Sequence, residues 1–255
     1  MVSQGDYGTS EVDARVFVLD IPVHVISPGE ALEVLVRAVE TGRKMRIITL
    51  NPEMVMRAQT DQRFAQAVRQ GHLCVPDGIG IVWAMRRKGI RGQARISGVD
   101  LIEGLLDHYA EYKEELKLFL LGGRPGVAQE AGERMKRRWP SVQIVGSRHG
   151  YFTAEEDEEI MEEVNNGAPD LLLVGMGLPR QELWLTEHWE RLQVKLAVGI
   201  GGGLDLWAGR ARRAPRLVRS LGLEWLFRTL QEPQRFSRLK VLPKFVLEAC
   251  LRSEK

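Results

Sequence analysis

No apolar run in this chain approaches the roughly eighteen residues that a membrane-spanning helix needs. The opening residues carry no basic segment followed by an apolar one, so no secretory signal is expected, and Met1–Ala14 reads as a flexible tail. Cysteine is scarce. Cys74 and Cys250 are the two in the chain, far apart and without disulfide-framework or zinc spacing, which fits a reducing compartment. The five histidines, His24, His72, His108, His149 and His188, form no metal-ligand pattern. There is no Asp-x-Asp pair, no Walker sequence and no G-x-G-x-x-G, since Arg180 stands where the final glycine after Gly175 and Gly177 would be. A nucleotide-sugar enzyme of this composition lacks the short acidic motif that brings a divalent ion to a diphosphate. Charge on a departing diphosphate would then fall to arginine, through permanent, bidentate hydrogen bonds.

What the chain does have is enough apolar content, 44% of 255 residues, for a sizeable core. It also has an uneven charge distribution. Residues 209–255 hold 12 Lys and Arg against 4 Asp and Glu, a net of +8, and the remainder holds 24 against 30, a net of −6. A local basic field of this kind suits a phosphate, a nucleic acid or an anionic membrane.

The local patterns predict alternating strands and helices. Arg15–Ile26 reads as one or two short strands. Ser27 and Pro28 open a helix through Glu40, and Met45–Leu50 is a strand. Asn51, Pro52 and Glu53 start a helix; a second covers Gln62–Gln70, a strand His72–Val75, and a helix Gly78–Arg87. After a basic loop, Val99–Tyr112 is helical. Strands follow at Leu118–Leu121, Val142–Val145, Asp170–Val174 and Val194–Val198, with helices between them, one expected to start from a Thr153 capping box with Glu156 and one from Pro179 to Trp189. Connections of this length favour parallel pairing and right-handed crossovers. The fold class is therefore α/β, an open, mostly parallel Rossmann-like sheet between helices over residues 15–208. Residues 209–255 read as a helical basic appendage, with helical segments Leu217–Leu230 and Phe236–Leu251.

The candidate chemistry lies at strand ends, where open α/β sheets bind ligands. Thr49 and Asn51 close one strand, and Asp77 follows the next. Asp77 is either a cap for the helix after it or a carboxylate base. Three glycine turns, Gly122–Gly126, Gly175–Gly177 and Gly199–Gly203, present backbone amides suited to phosphate, or are simply tight turns. Gln181 and Glu182 begin a helix beside one of them. Arginines 210, 212, 213, 216, 219, 228, 235 and 238, interleaved with Trp225, Phe227 and Phe236, form either a solvated basic face or an anion-binding and interfacial surface.

Several stretches together resemble one family. TLNPE (Thr49–Glu53), PDGIGIVW (Pro76–Trp83), RISGVDL (Arg95–Leu101), GGRPGVA (Gly122–Ala128), DLLLVGMGLPRQE (Asp170–Glu182), GIGGGLDLWAG (Gly199–Gly209) and the run Arg212–Arg238 occur in the order found in the WecG/TagA/CpsF family of bacterial glycosyltransferases, glycosyltransferase family 26. The resemblance implies inverting, metal-independent transfer of an N-acetylmannosamine-type sugar from a UDP donor to undecaprenyl-diphosphate-linked N-acetylglucosamine, in cell-surface polysaccharide synthesis. N-acetylmannosaminuronic acid and glucose are alternative donor sugars. It implies Asp77 as the base, Thr49 and Asn51 at the acceptor or sugar, and Arg95 and Gln181 beside the donor. The donor's phosphates would meet Gly122, Arg124, Pro125, Gly175 and Gly177, with Arg228, Arg235 and Arg238 closing over the diphosphate. It further implies a cytoplasmic enzyme, peripheral on the anionic inner face of the membrane through the appendage, with no cofactor, no metal and no nucleic-acid partner. A homo-oligomer is compatible with the sequence. A nicotinamide- or adenine-nucleotide enzyme would need the missing phosphate fingerprint. A nucleic-acid module would account for the basic end but not for Asp77 and the glycine turns. A noncatalytic structural protein remains a further alternative.

Overall fold

The computed structural model describes residues 14–215, 218, 227 and 241–252. The expected tail before Ala14, and most of the appendage including Arg228, Arg235 and Arg238, lie outside the described residues.

The chain opens with an antiparallel hairpin of β1 (Arg15–Val18) and β2 (Ile21–His24), which forms its own two-stranded sheet. Val18 pairs with Ile21, so Leu19 and Asp20 make a two-residue turn. Both have positive φ, 46° and 65°, as a type I′ turn requires. The Cys74 N–H donates to His24 Nδ1 at 2.9 Å and ties the hairpin to the main sheet.

That sheet has six strands: β3 (Met45–Leu50), β4 (Leu73–Pro76), β5 (Leu116–Gly122), β6 (Val142–Arg148), β7 (Leu171–Gly175) and β8 (Leu196–Gly199). Their order is β4-β3-β8-β7-β5-β6, and every pair is parallel. Side chains alternate between two cores, as period-two geometry demands. Met45, Ile47, Leu73, Val75, Leu118, Leu120, Leu171, Leu173, Leu196 and Val198 face one core, built with α1 (Pro28–Thr41), α5 (Gly98–Tyr112), α6 (Val127–Arg138) and α9 (Gly203–Trp207). On the opposite face, Ile48, Leu50 and Cys74 pack with α2 (Pro52–Ala58), α3 (Gln62–Arg69) and α4 (Ile79–Arg87). Further along that face, Phe119, Leu121, Leu172 and Val174 pack with α7 (Asp157–Gly167) and α8 (Arg180–Glu187). The sandwich expected from the sequence is present, and its large sheet is wholly parallel.

Local capping signals explain the starts of three helices. Ser27 and Glu30 form a reciprocal capping box on α1, at 3.2 and 2.8 Å, and Gly42 ends that helix with φ 69°. Asn51 caps α2 and Asp61 caps α3 through their side chains. The capping box expected at Thr153 does not form. Glu156 does reach back to the Thr153 N–H at 2.9 Å, but the Thr153 hydroxyl is engaged by Glu155, and the helix begins only at Asp157. The helix expected over Pro179–Trp189 is shorter, Arg180–Glu187, after a cis Leu178–Pro179 bond.

The chain's direction reverses between β5 and β7. β5 leads outward to edge strand β6, whereas β7 leads inward to β8. Such a divergence opens a crevice at the carboxyl ends of the strands. Here the two strands end in glycine because their backbones nearly touch: a methyl group on Gly122 would lie 2.5 Å from the Gly175 carbonyl carbon, at a φ of 143°.

The described end of the appendage is α10 (Val241–Leu251). It lies across α2 and α4, and Phe245 is fully buried in the core cluster that contains Leu50, Met54 and Ile81.

Candidate active site

A cleft of about 900 Å³ runs along the carboxyl edge of the sheet. Each strand contributes: Thr49 from β3, Asp77 after β4, Gly123 after β5, Gly150 after β6, Gly175 from β7 and Gly199 from β8. Asn51, Arg124, Gly177 and Gln181 also line it. Gly122 is buried against Gly175 behind the wall, and Pro125 lies exposed on its turn, away from the cleft surface.

The Asp77 end is built from three segments. The Asp77 N–H donates to the Leu50 carbonyl at 2.8 Å, which extends the β3–β4 register one residue and fixes the backbone beside Thr49 and Asn51. Asp77 does not cap the helix that follows it. Gly78 holds the N-cap of α4, with φ 104° and no side-chain cap bond. Instead the Gly98 N–H, in the first turn of α5, approaches Asp77 Oδ2 at 3.5 Å, and Arg95 Nε stands 3.9 Å from Oδ1. The carboxylate therefore sits between a guanidinium and a helix N-terminus, both regions of positive potential. Its side chain remains 30% exposed and reaches the cleft. Thr49 Oγ1 donates to the Gly199 carbonyl at 3.3 Å, and Asn51 Oδ1 accepts from the Met54 N–H at 3.1 Å. Asn51 thus spends its side-chain oxygen on capping α2 while the residue lines the cleft.

The middle of the cleft is held by Gln181. Its Oε1 accepts from the N–H groups of Gly177, at 3.2 Å, and Gly201, at 3.1 Å, and so joins the turns after β7 and β8. Its Nε2 donates to Glu182 Oε1 at 2.6 Å. The same amide explains Gly199, where a methyl group would lie 2.5 Å from Gln181 Nε2. Glu182 is buried, and burial pushes its carboxyl up to about 7, with Glu53 adding to the rise and Gln181 and Arg46 opposing it. Its second oxygen, Oε2, has no hydrogen-bond partner.

Among the described arginines the basic run divides. Arg210 makes a double contact with Glu130, at 2.8 and 2.6 Å, and Arg213 pairs with Asp100 and Glu103. Arg124 and Arg212 line the cleft with no acidic partner among the described residues. Among those residues no three His, Cys, Asp or Glu side chains group as a metal would need.

Sequence reasoning missed the far end of the cleft. Tyr151, after β6, lines it and is 65% exposed, and Arg180 lies beside it. The local cue was the aromatic pair in HGYF, His149–Phe152, directly after a strand.

A model of the glycosyl transferase WecG/TagA/CpsF family matches residues 16–255. The N-acetylglucosaminyldiphosphoundecaprenol N-acetyl-beta-D-mannosaminyltransferase of Staphylococcus aureus strain MRSA252 is 34% identical over 207 residues, which cover 81% of this chain and 80% of that one. The protein of the same description from strain MW2 is 33% identical over the same coverage. With the family match running nearly end to end and the cleft lined by the residues that carry it, the chain belongs to the WecG/TagA/CpsF family of glycosyl transferases.

Proposed function

We propose that this protein is an inverting glycosyltransferase that moves an N-acetylmannosamine-type sugar from a UDP donor to the 4-hydroxyl of undecaprenyl-diphosphate-linked N-acetylglucosamine. The observation that carries the reading is the arrangement of one cleft. A partly exposed carboxylate, Asp77, stands at one end, glycine turns and the cations Arg124 and Arg212 lie further along, and the S. aureus relatives described above are named for this transfer. β4 and β6 are separated by five interstrand spacings, on the order of 24 Å, so an elongated substrate can lie across the strand ends.

In this mechanism Asp77 takes the proton of the acceptor hydroxyl as its oxygen attacks the anomeric carbon. The new carbon–oxygen bond forms on the face opposite the diphosphate, the bond to the β-phosphate oxygen breaks, and UDP leaves with the electron pair. Arg95 and the start of α5 orient the carboxylate. Thr49 and Asn51 hold the acceptor or sugar. Arg124 and the glycine turns at Gly175 and Gly177 receive the diphosphate, and Arg228, Arg235 and Arg238 close over it from the appendage. The alternative donor sugars, N-acetylmannosaminuronic acid and glucose, differ from N-acetylmannosamine in groups away from the anomeric carbon, and the same steps apply to each. The enzyme works on the cytoplasmic face of the membrane, held there through residues 209–255. α10 supports that placement, since Leu247 and Leu251 are 60% and 67% exposed beside Lys244 and Arg252.

The test is Asp77→Asn. The amide keeps the shape but cannot take the proton. UDP binding is retained, and transfer falls by about 10²- to 10⁴-fold, the range of a lost general base. Turnover at the wild-type rate would remove Asp77 from the chemistry.

A further inference from the structure

Stability alone does not call for an acid at Glu182. The residue is 4% exposed in the wall of the cleft, and burial raises its carboxyl to about 7. Its Oε2 has no hydrogen-bond partner. A leucine or methionine in the same space would carry neither cost. The charges that act on it oppose each other: Arg46, buried on β3, favours ionisation, and Glu53 on α2 disfavours it. What the acid does hold is Gln181, through the 2.6 Å bond from Nε2 to Oε1.

A glutamine amide can sit two ways round, and its neighbours decide which. Gln181 Oε1 meets the N–H groups of Gly177 and Gly201, at 3.2 and 3.1 Å. Turned over, the amide would set its own N–H groups against those two donors and its oxygen against the Glu182 carboxyl. When Glu182 is ionised both of its oxygens accept, and when it is neutral the proton can sit on Oε2 and leave Oε1 as the acceptor, so one orientation is specified in either state. Glu182 is itself anchored. Thr186 Oγ1 donates to its backbone carbonyl at 2.7 Å and accepts from Arg46 Nη1 at 2.5 Å. The two turns that Gln181 joins are in close contact: a methyl group on Gly175 would lie 2.9 Å from the Gly201 carbonyl oxygen.

We propose that Glu182 is a positioning residue: it holds the Gln181 amide in the orientation that joins the turns after β7 and β8, and so keeps the Gly175–Gly177 turn in the one shape that receives the donor's diphosphate. The inference rests on the nucleotide-sugar reading above. It adds a residue that acts through Gln181 rather than on the substrate. Turns joined before the donor arrives need little ordering when it binds, whereas an amide free to turn over leaves only part of the molecules competent.

The experiment is titration calorimetry of UDP into wild type, Glu182→Gln, Glu182→Leu, Gln181→Ala and the Gln181→Ala, Glu182→Leu double variant, with melting temperatures as a check on folding. Glu182→Met takes the place of the leucine variant if that chain does not fold. Glu182→Leu fills the space without an acceptor and weakens UDP by about 3- to 10-fold, the weight of one neutral hydrogen bond in the orientation of the amide. Glu182→Gln keeps most of the affinity, because its oxygen can take the bond from Gln181 Nε2. In the Gln181→Ala background Glu182→Leu causes no further loss, a coupling that a purely structural acid would not show. The positioning role is overturned, with the donor reading left standing, by wild-type affinity in Glu182→Leu, by Glu182→Gln binding as weakly as Glu182→Leu, or by the full leucine loss persisting without Gln181. A wild-type protein that binds no UDP overturns both.

Discussion

Glu182→Gln removes a buried acid from the wall of the cleft while keeping its shape, and the structure sets the size and sign of the effect. The ordinary glutamate value is 4.5, and burial raises it to about 7 in the folded protein. Below 4.5 the group is protonated in both folded and unfolded chains and contributes nothing to pH dependence. Between 4.5 and 7 the folded protein binds more protons than the unfolded one, so stability falls as pH rises. Above 7 the full cost of ionising in the core is present, about 3 kcal/mol. Most of that cost, on the order of 2–3 kcal/mol, falls between pH 5 and pH 8. The variant lacks this component. Its new amide must place a second donor where Oε2 has no partner, which costs on the order of 1–3 kcal/mol, but that cost does not change with pH. His72, whose imidazole is lowered chiefly by burial, changes stability in the opposite direction in an overlapping range, and it is common to both proteins. The measurement is therefore a difference: urea unfolding of wild type and Glu182→Gln at pH 5 and pH 8. The variant gains on the order of 2–3 kcal/mol relative to wild type across that interval. A gap of the same size at both pH values would refute a neutral, buried Glu182.

Two further outcomes follow from the geometry. Gly122→Ala forces a methyl group to within 2.5 Å of the Gly175 backbone at a φ that only glycine adopts easily, so the variant is destabilised by several kcal/mol, on the scale of strained or overpacked sites, in thermal or urea unfolding; a wild-type midpoint would show that the β5 and β7 ends can separate freely. Leu247→Ser with Leu251→Ser removes apolar surface from α10 while leaving Phe245 in the core, and sedimentation with anionic liposomes falls while the melting temperature holds; unchanged sedimentation would take α10 out of the membrane contact.

The alternation of apolar runs with glycine and capping signals made the sheet legible, because each strand and its following turn are written in neighbouring residues. The same locality explains Thr49, Asn51 and Asp77, which stand directly at strand ends. The sequence left Asp77 between cap and base. The structure gives the N-cap of α4 to Gly78, and Gly98 comes to the Asp77 carboxylate through the packing of α5, which shows no local mark. Arg210 and Arg213 looked like members of an anion-binding set, but Glu130 on α6 and Asp100 on α5 engage them, and those pairings depend on the folded topology. Gln181 looked like a ligand contact, and the structure adds a brace between two turns. Tyr151 stayed hidden for the reverse reason. The carbonyls on either side of it are held by Arg180, twenty-nine residues on in sequence and on another element. The late start of α7 goes with a Thr153 hydroxyl turned to Glu155, next along the chain, a choice that a capping pattern does not show.

Phe245 gives the protein an order of assembly. Every strand of the sheet precedes it in the chain, yet it fills the cluster beneath α2 and α4, the helices that begin right after Asn51 and Asp77. A side chain on Gly80 would meet Pro52, Leu242 and Phe245 together, so the starts of both helices and α10 converge on one point. During synthesis the sheet emerges first, with that cluster one large side chain short, and the end of the chain closes it. The end of the cleft around β5, β6 and β7 has no α10 residue in its wall and can be in place while the core beneath the Asp77 end still lacks Phe245. A chain halted before Val241 thus carries a cleft that is finished at one end only.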